Sequence, residues 1–134
     1  MRDADEVRVL INSEADVVTA REAGREMASE MGLNGSLPTV IATAISEVAR
    51  NIIQYAGKGE IILRRLNDSI KPGIMIIARD KGPGIVDVEQ AMKDGYTTGR
   101  GLGMGLPGTR RLMDEFGIVS KKGKGTTVTM KKWM

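Results

Sequence analysis

Apolar residues recur at intervals of three and four positions over two stretches of the chain, which predicts two amphipathic helices. The first helix follows a short strand at Glu6–Ile11 and begins after Ser13, a capping residue with Asp16 three positions later. Gly24 interrupts the apolar face of this helix and indicates a close approach to another element. That face is formed by Val17, Ala20, Met27, Ala28 and Met31.

The second helix is predicted to begin at Ser36 and Pro38, which suit a cap and a first turn, and to run to about Tyr55. Its apolar face is formed by Ile41, Ala44, Ile45, Val48 and Ile52. Two isoleucine-rich runs follow, at 60–66 and 74–79, separated by turn-forming residues. They predict a hairpin that is central in a sheet.

The second half of the chain is richer in glycine and more broken in pattern. It predicts a loop at 80–84, a short helix at 86–94, a loop at 95–105, a third helix at 106–116 and a hairpin of strands at 117–120 and 126–132. The resulting order is β-α-α-β-β-(α)-α-β-β. Because helices and antiparallel hairpins segregate in this order, an α+β two-layer sandwich is favoured over a Rossmann fold.

Composition narrows the possible chemistry. The 134 residues fit one domain, expected to span 1–134. Histidine and cysteine are absent, which excludes disulfides, Cys/His zinc sites, cysteine nucleophiles and a Ser-His-Asp triad. A general base would have to be Asp, Glu or Lys. No apolar run approaches 18 residues and the N-terminus is charged, so we expect a cytoplasmic protein with no membrane partner.

The net charge of +3 arises partly from lysines at 121, 122, 124, 131 and 132. Such a cluster suits phosphate or an acidic protein surface. A nucleic-acid patch is less favoured, because Trp133 is the one aromatic side chain near these lysines that could stack on a base.

Glu47, Arg50, Asn51 and Gln54 share one face of the second predicted helix. Two interpretations are open for this face. It can be a solvated surface opposite the isoleucine stripe. Alternatively, Asn51 can be an oxygen ligand for Mg²⁺, with Glu47 one turn away as a base that orients a nucleophile.

Asp80, Gly82 and Gly84 directly follow an apolar strand. These residue types are common in ordinary turns. They also suit a nucleobase site, in which Asp80 accepts a hydrogen bond from an exocyclic amine such as adenine N6. The two glycines would then let the base lie close to the backbone.

Alternating glycines at 99, 101, 103 and 105 precede the third predicted helix. Gly99, Gly101, Gly103 and Gly105 would free backbone N–H groups for phosphates, and the helix N-terminus adds to anion binding. A flexible linker would more often carry Ser or Pro. Two other glycine patterns are rejected: 103–108 does not follow a clear strand, and 117–124 has the wrong spacing for a P-loop.

In this order, the three elements resemble the Bergerat-type ATP site shared by gyrase, the Hsp90 chaperone, histidine kinases and MutL. Within that GHKL superfamily, residues 44–52 (AISEVARNI), 55–59 (YAGKG) and 105–116 (GLPGTRRLMDEF) are similar to the RsbT-like switch-protein serine/threonine kinases of the bacterial stressosome. The similarity runs over nearly the whole chain. It implies a mixed, largely antiparallel sheet with helices on one face.

The resemblance also implies a role for each matching position. Asn51 coordinates Mg²⁺, and Glu47 acts as catalytic base or polarises the substrate hydroxyl. Asp80 binds adenine N6 with Gly84 beside the base, and the glycines from 99 to 105 form a phosphate-binding lid. A threonine of the Gly125-Thr126-Thr127 stretch lies near the adenine end; Thr126 is preferred, with Thr127 left open.

The implied activity is transfer of the ATP γ-phosphoryl group, with Mg²⁺, to a serine or threonine of STAS-domain scaffold and antagonist proteins. Release from that complex lets such a kinase activate a downstream effector, a PP2C-type phosphatase in the best-known arrangement. Three alternatives remain: an anti-sigma factor that also phosphorylates its antagonist, a detached ATP-binding domain of a histidine kinase, and a binding module that uses ATP only as a switch. Glu47 argues against the last, because a pure binder needs no base.

Overall fold

A computed structural model describes residues 5–67, 71–84 and 105–134 of the chain. Within these residues the helices and strands follow the predicted order. They are β1 Glu6–Ile11, α1 Glu14–Glu30, α2 Leu37–Ala56, β2 Gly59–Asn67, β3 Pro72–Asp80, α3 Gly105–Leu112, β4 Glu115–Lys121 and β5 Gly125–Trp133. The short helix predicted at 86–94 and most of the loop predicted at 95–105 lie outside the described residues.

The five strands form one sheet in the order β1-β2-β3-β5-β4. The β2–β3 hairpin occupies interior positions, which confirms the prediction from its isoleucines. All four pairings among the described strands are antiparallel, so the parallel component of the expected mixed sheet is not found there. The α+β assignment is confirmed, with three described helices and a five-stranded antiparallel sheet.

The start of α1 follows its predicted cap. One carboxylate oxygen of Asp16 accepts the backbone N–H groups of Asn12 at 2.8 Å and Ser13 at 3.1 Å. Further along α1, Gly24 is buried, and a Cβ there would overlap Cδ1 of Ile45 on α2. The two helices therefore pack closely at this point, as the interruption of the apolar face predicted.

The core lies between the helices and one face of the sheet. The apolar face of α2, including Ile41, Ile45 and Ile52, packs over strand residues of β2, β3 and β5 such as Leu63, Ile76 and Met130. All five predicted apolar positions of α2 are buried. Burial of these side chains from water stabilises both layers together.

The third helix is shorter than predicted, and this is a correction. It ends at Leu112, and Glu115 already belongs to β4. The apolar spacing through Phe116 fits both a helix and a strand, and tertiary hydrogen bonds decide between them. The Asp114 N–H donates to the carbonyl of Lys131 at 3.0 Å, and the Asp114 carboxylate accepts the Trp133 N–H at 2.7 Å. These hydrogen bonds to β5 end the helix and start the strand β4.

The outer face of the sheet carries a network of alternating charges. The Glu60 carboxylate accepts hydrogen bonds from Arg79 and Arg8, each at 3.0 Å, and Arg64 donates to Glu6 at 2.8 Å. The hydrogen bond from Arg79 is the main reason why the pKa of Glu60 is lowered, and that from Arg64 lowers the pKa of Glu6.

Within the described ranges, no helix is long and apolar enough to span a membrane.

Truncation of the α2 core face tests the fold. Ile45→Ala removes a fully buried side chain of α2 that packs in the core and lies against α1 at Gly24. We expect a loss of about 2–5 kcal/mol in the free energy of unfolding, measured by urea denaturation. Leu10→Ala is the matched control: Leu10 is 63% exposed, and its truncation should change stability by less than about 0.5 kcal/mol. Equal losses in the two variants would contradict the packing described here.

Candidate functional site

A cavity opens where α2, β3, β5 and the start of α3 meet. It encloses about 470 Å³ of free space, including its open mouth. Its walls are mostly apolar, with a few polar groups, which is the usual character of a small-molecule site. The lining residues are Val48, Asn51, Ile52, Tyr55, Ala78, Asp80, Pro83, Gly84, Leu106, Thr126 and Val128.

Strand register brings two of the predicted site residues together. Asp80 is the last residue of β3 and lies directly opposite Thr126 on β5. The loop after Asp80 packs against the end of α2, since a Cβ on Gly82 would lie 2.5 Å from Cβ of Ala56. Asn51, five residues earlier on α2, lines the same cavity as Asp80 and Thr126.

The Asp80 carboxylate is held by its own loop. Its Oδ1 accepts the backbone N–H of Gly82 at 2.9 Å. In the part of the chain that the structure describes, its other oxygen has no donor and is available to a ligand. Gly84 has a φ of +80°, and a Cβ there would overlap the carbonyl oxygen of Lys121, so both conformation and space require glycine.

The two threonines after Gly125 face opposite sides of the sheet. Thr126 lines the cavity, and its hydroxyl oxygen lies 2.7 Å from that of Ser120 on β4. Thr127 pairs with Arg79 and Val119, on the alternate positions of these strands. The cavity thus contains Thr126, the threonine preferred from the sequence.

The polar face of α2 divides between the cavity and its surroundings. Asn51 lines the cavity, whereas Arg50 and Gln54 are exposed. Glu47 lies one turn before Asn51, with a side chain only 12% exposed, and Arg50 Nη1 is 3.3 Å from its Oε2. Glu47 does not line the described cavity, so its place beside a reacting group remains a prediction.

The glycine stretch is only partly described. Gly99, Gly101 and Gly103 lie outside the described residues, so their assignment to a phosphate loop stays a prediction. Gly105 begins α3, and Leu106 in its first turn lines the cavity. The first turn of α3 therefore borders the cavity, and its anion-binding role stays a prediction.

One lining residue with a hydroxyl group, Tyr55, was not predicted from the sequence. It follows Asn51 by four positions, which places both on one helix face, and it lines the cavity while 43% exposed. Helical spacing from Asn51 could have identified it. The apolar lining at Ala78 and Val128 could have been found from the alternation of β3 and β5, once their register was known.

Comparisons with known proteins identify the family of the chain. The family model described as histidine kinase-like ATPase domain matches residues 11–132. The serine/threonine-protein kinase RsbT of Bacillus subtilis is 48% identical over 134 residues, covering 100% of this chain and 99% of that protein. An anti-sigma F factor of Halalkalibacterium halodurans is 39% identical over 100 residues, covering 70% of this chain and 68% of that protein.

Solved structures show the same fold. The mycobacterial sensor histidine kinase MprB has a TM-score of 0.57 at 13% identity, with 96% of this chain and 95% of that chain covered. The catalytic domain of histidine kinase ThkA has a TM-score of 0.54 at 17% identity, with 95% of each chain covered. The chain therefore belongs to the histidine kinase-like ATPase family and, within it, to the serine/threonine-protein kinases related to RsbT.

Proposed function

We propose that this kinase, in the cytoplasm, transfers the γ-phosphoryl group of Mg·ATP to a serine or threonine hydroxyl of a STAS-domain protein. The observation that carries the proposal is the convergence of Asn51, Asp80 and Thr126 on one largely apolar cavity. A flat adenine ring fits such walls, and a few polar groups at fixed positions give orientation and specificity. The relative with full-length similarity is named a serine/threonine-protein kinase, which supports the acceptor class.

The adenine end of the nucleotide is assigned to Asp80 and its neighbours. The carboxylate oxygen that Gly82 leaves available would accept the hydrogen bond of adenine N6. Thr126, paired with Ser120, lies opposite Asp80 and would contribute to the water network at that end. Gly84 keeps the loop close to the base without adding a side chain.

The phosphate end is assigned to Asn51, the glycines from 99 to 105 and the start of α3. Bound Mg²⁺ would supply charge neutralisation at the β- and γ-phosphates. The Asn51 amide oxygen suits that ion, which takes oxygen ligands and keeps water and phosphate in its shell. Among the described residues, no group of three or more His, Cys, Asp or Glu side chains could hold a metal ion.

Glu47 is assigned the role of general base for the acceptor hydroxyl. Its carboxylate would accept that proton as the hydroxyl oxygen bonds to the γ-phosphorus and the bond to the ADP oxygen breaks. Its helical position one turn from Asn51 and its side-chain exposure of only 12% support this assignment. The contribution of the other residues is positioning and charge stabilisation.

The partner proteins are proposed from the resemblance to RsbT-like kinases. A STAS-domain scaffold and antagonist would be the substrates, and release from them would let the kinase activate a downstream effector such as a PP2C-type phosphatase. The second candidate is an anti-sigma factor that binds sigma directly, since anti-sigma F factors are 34–39% identical over about 70% of the chain. The first is favoured by the full-length 48% identity to RsbT. Recovery of sigma in a pull-down would instead favour the second.

Asp80→Asn tests the adenine assignment. Because Gly82 holds Oδ1, the new amide nitrogen would face the adenine amine, donor against donor. We expect ATP affinity to fall at least about tenfold by titration calorimetry. Asp114→Asn is the control, since its carboxylate bonds the Trp133 N–H, and it should leave ATP affinity unchanged. Unchanged affinity in Asp80→Asn would remove Asp80 from the site.

Asn51→Ala and Glu47→Gln test the phosphate end. With radiolabelled ATP and the STAS-domain protein encoded nearest to this gene, both should lower phosphoryl transfer at least about 100-fold. Glu47→Gln should keep ATP affinity, because its assigned role is in proton transfer. Gln54→Ala is the control on the same helix: Gln54 is exposed, and transfer should stay near the wild-type rate.

The outcomes separate the two roles. Undiminished transfer by Asn51→Ala would refute the metal assignment. Undiminished transfer by Glu47→Gln would refute the base assignment alone. If the wild-type protein phosphorylates no STAS-domain protein, the proposed substrate class is wrong.

A further inference from the structure

Most described basic side chains on the helices and the sheet are neutralised by carboxylates. On the sheet, Arg8, Arg64 and Arg79 pair with Glu6 and Glu60. The same holds for Arg65 with Glu30, Lys131 with Glu115, Lys132 with Asp114, and Arg21 and Arg25 with Glu22. Charge on these surfaces is locally balanced, so an unbalanced region stands out against them.

One end of the sheet is such a region. Lys58, Lys81, Lys121, Lys122 and Lys124 are all exposed, and no carboxylate among residues 5–67, 71–84 and 105–134 forms an ion pair with them. We call these five residues the lysine end.

Strand register explains why residues so distant in sequence meet. Gly59 pairs with Asp80, so the next positions outward are Lys58 and Lys81. Asp80 also pairs with Thr126, and Gly125 pairs with Lys121. The ends of β2, β3, β5 and β4 thus place three lysines in one row, with Lys122 and Lys124 in the adjoining turn.

The backbone of the lysine end is fixed. The Gly123 N–H donates to the Pro83 carbonyl at 2.7 Å, and the Lys124 N–H donates to the Lys121 carbonyl at 2.9 Å. A Cβ on Gly125 would lie 2.8 Å from Cα of Lys81, so the turn and the Asp80 loop are in close contact. The lysines therefore project from a preorganised frame, which lowers the ordering cost of binding.

The lysine end differs in membership from the basic cluster expected from the sequence. Lys131 and Lys132 do not belong to it, because they lie six and seven residues along β5 from Gly125, roughly 20 Å away, and are paired with carboxylates. Lys58 and Lys81 join it through register. Trp133 lies at the far end too, where its ring N–H bonds Glu115 and its face lies 5.8 Å from Lys71 Nζ.

We propose that the lysine end is the docking surface for an acidic face of the protein that this kinase phosphorylates, which deepens the proposed function and rests on it. Opposite charge steers association and sets the partner's orientation. The lysine end adjoins Asp80, Pro83 and Thr126, so a protein docked there lies beside the nucleotide cavity. Compact lysine charges suit acidic side chains, and Trp133 lies at the far end of the sheet from them.

The test uses Lys122→Gln combined with Lys124→Gln, two exposed turn residues that do not line the cavity. The control is Lys71→Glu at the opposite end of β3, which changes the net charge by the same two units. Binding of the STAS-domain protein encoded nearest to this gene is measured without ATP, at low and at physiological salt. Affinity of each variant for ATP is measured separately, and should stay at the wild-type value.

We expect the double variant to bind the STAS-domain protein about fivefold more weakly at low salt, with a smaller salt dependence than the wild type. The control variant should match the wild type. Equal affinity of double variant and wild type, or no binding by the wild type, would overturn the docking proposal.

A third arm replaces the STAS-domain protein with a 20-base-pair DNA duplex. If the duplex binds through the same lysines and the protein does not, nucleic acid is the occupant and the proposal is wrong. Binding needs no phosphoryl transfer, so the result is independent of the proposed reaction. A wild-type kinase that binds the STAS-domain protein through these lysines but does not phosphorylate it would refute the function and leave the docking surface supported.

Discussion

The packing of α2 on the sheet is the interaction on which the rest of the structure depends. Its isoleucine face is buried against β2, β3 and β5, and this fixes both the height and the rotation of the helix. Asn51 lies at the edge of that buried face, next to Ile52 in sequence, so packing alone brings its amide to the cavity. A rotation that moved Asn51 away would expose Ile45 and Val48 to water, which is costly.

Close backbone contacts hold the other walls in relation to α2. At Gly24, α1 packs closely against Ile45 of α2, and α1 also contacts β1 and β2. At Gly84, the loop that carries Asp80 meets the β4–β5 turn, so the cavity and the lysine end share one framework. The same antiparallel register that places Asp80 opposite Thr126 therefore also gathers the lysines at the adjoining sheet end.

Periodic segments could be predicted from sequence because one physical signal dominated each of them. The stripe of α2 and the isoleucines of β2 and β3 gave correct element types and a correct central hairpin. The end of α3 was wrong, because Phe116 fits either period and hydrogen bonds from Asp114 to β5 decide its state. Asn51 and Asp80 were identified through motif spacing and Thr126 through the family resemblance, whereas Tyr55 was missed although it lies four positions after Asn51 on the same helix face.

Properties that depend on pairing between distant segments were beyond reach of the sequence. Nothing local distinguishes Lys131, which pairs with Glu115, from Lys124, which meets no carboxylate in the described ranges. Nor does the sequence show that Lys58 lies beside Lys81, since that requires the register of β2 and β3. The predicted basic cluster therefore wrongly included Lys131 and Lys132, although it correctly included the lysines at 121, 122 and 124.

The central claim is that the cavity between α2, β3 and β5 recognises adenine through the available oxygen of Asp80. The most direct test compares ATP with ITP, which carries a carbonyl oxygen in place of the adenine amine, in a titration of the wild-type protein. We expect ATP to bind at least about tenfold more tightly, because the carbonyl would face the carboxylate acceptor against acceptor. Equal affinity for the two nucleotides would contradict the claim.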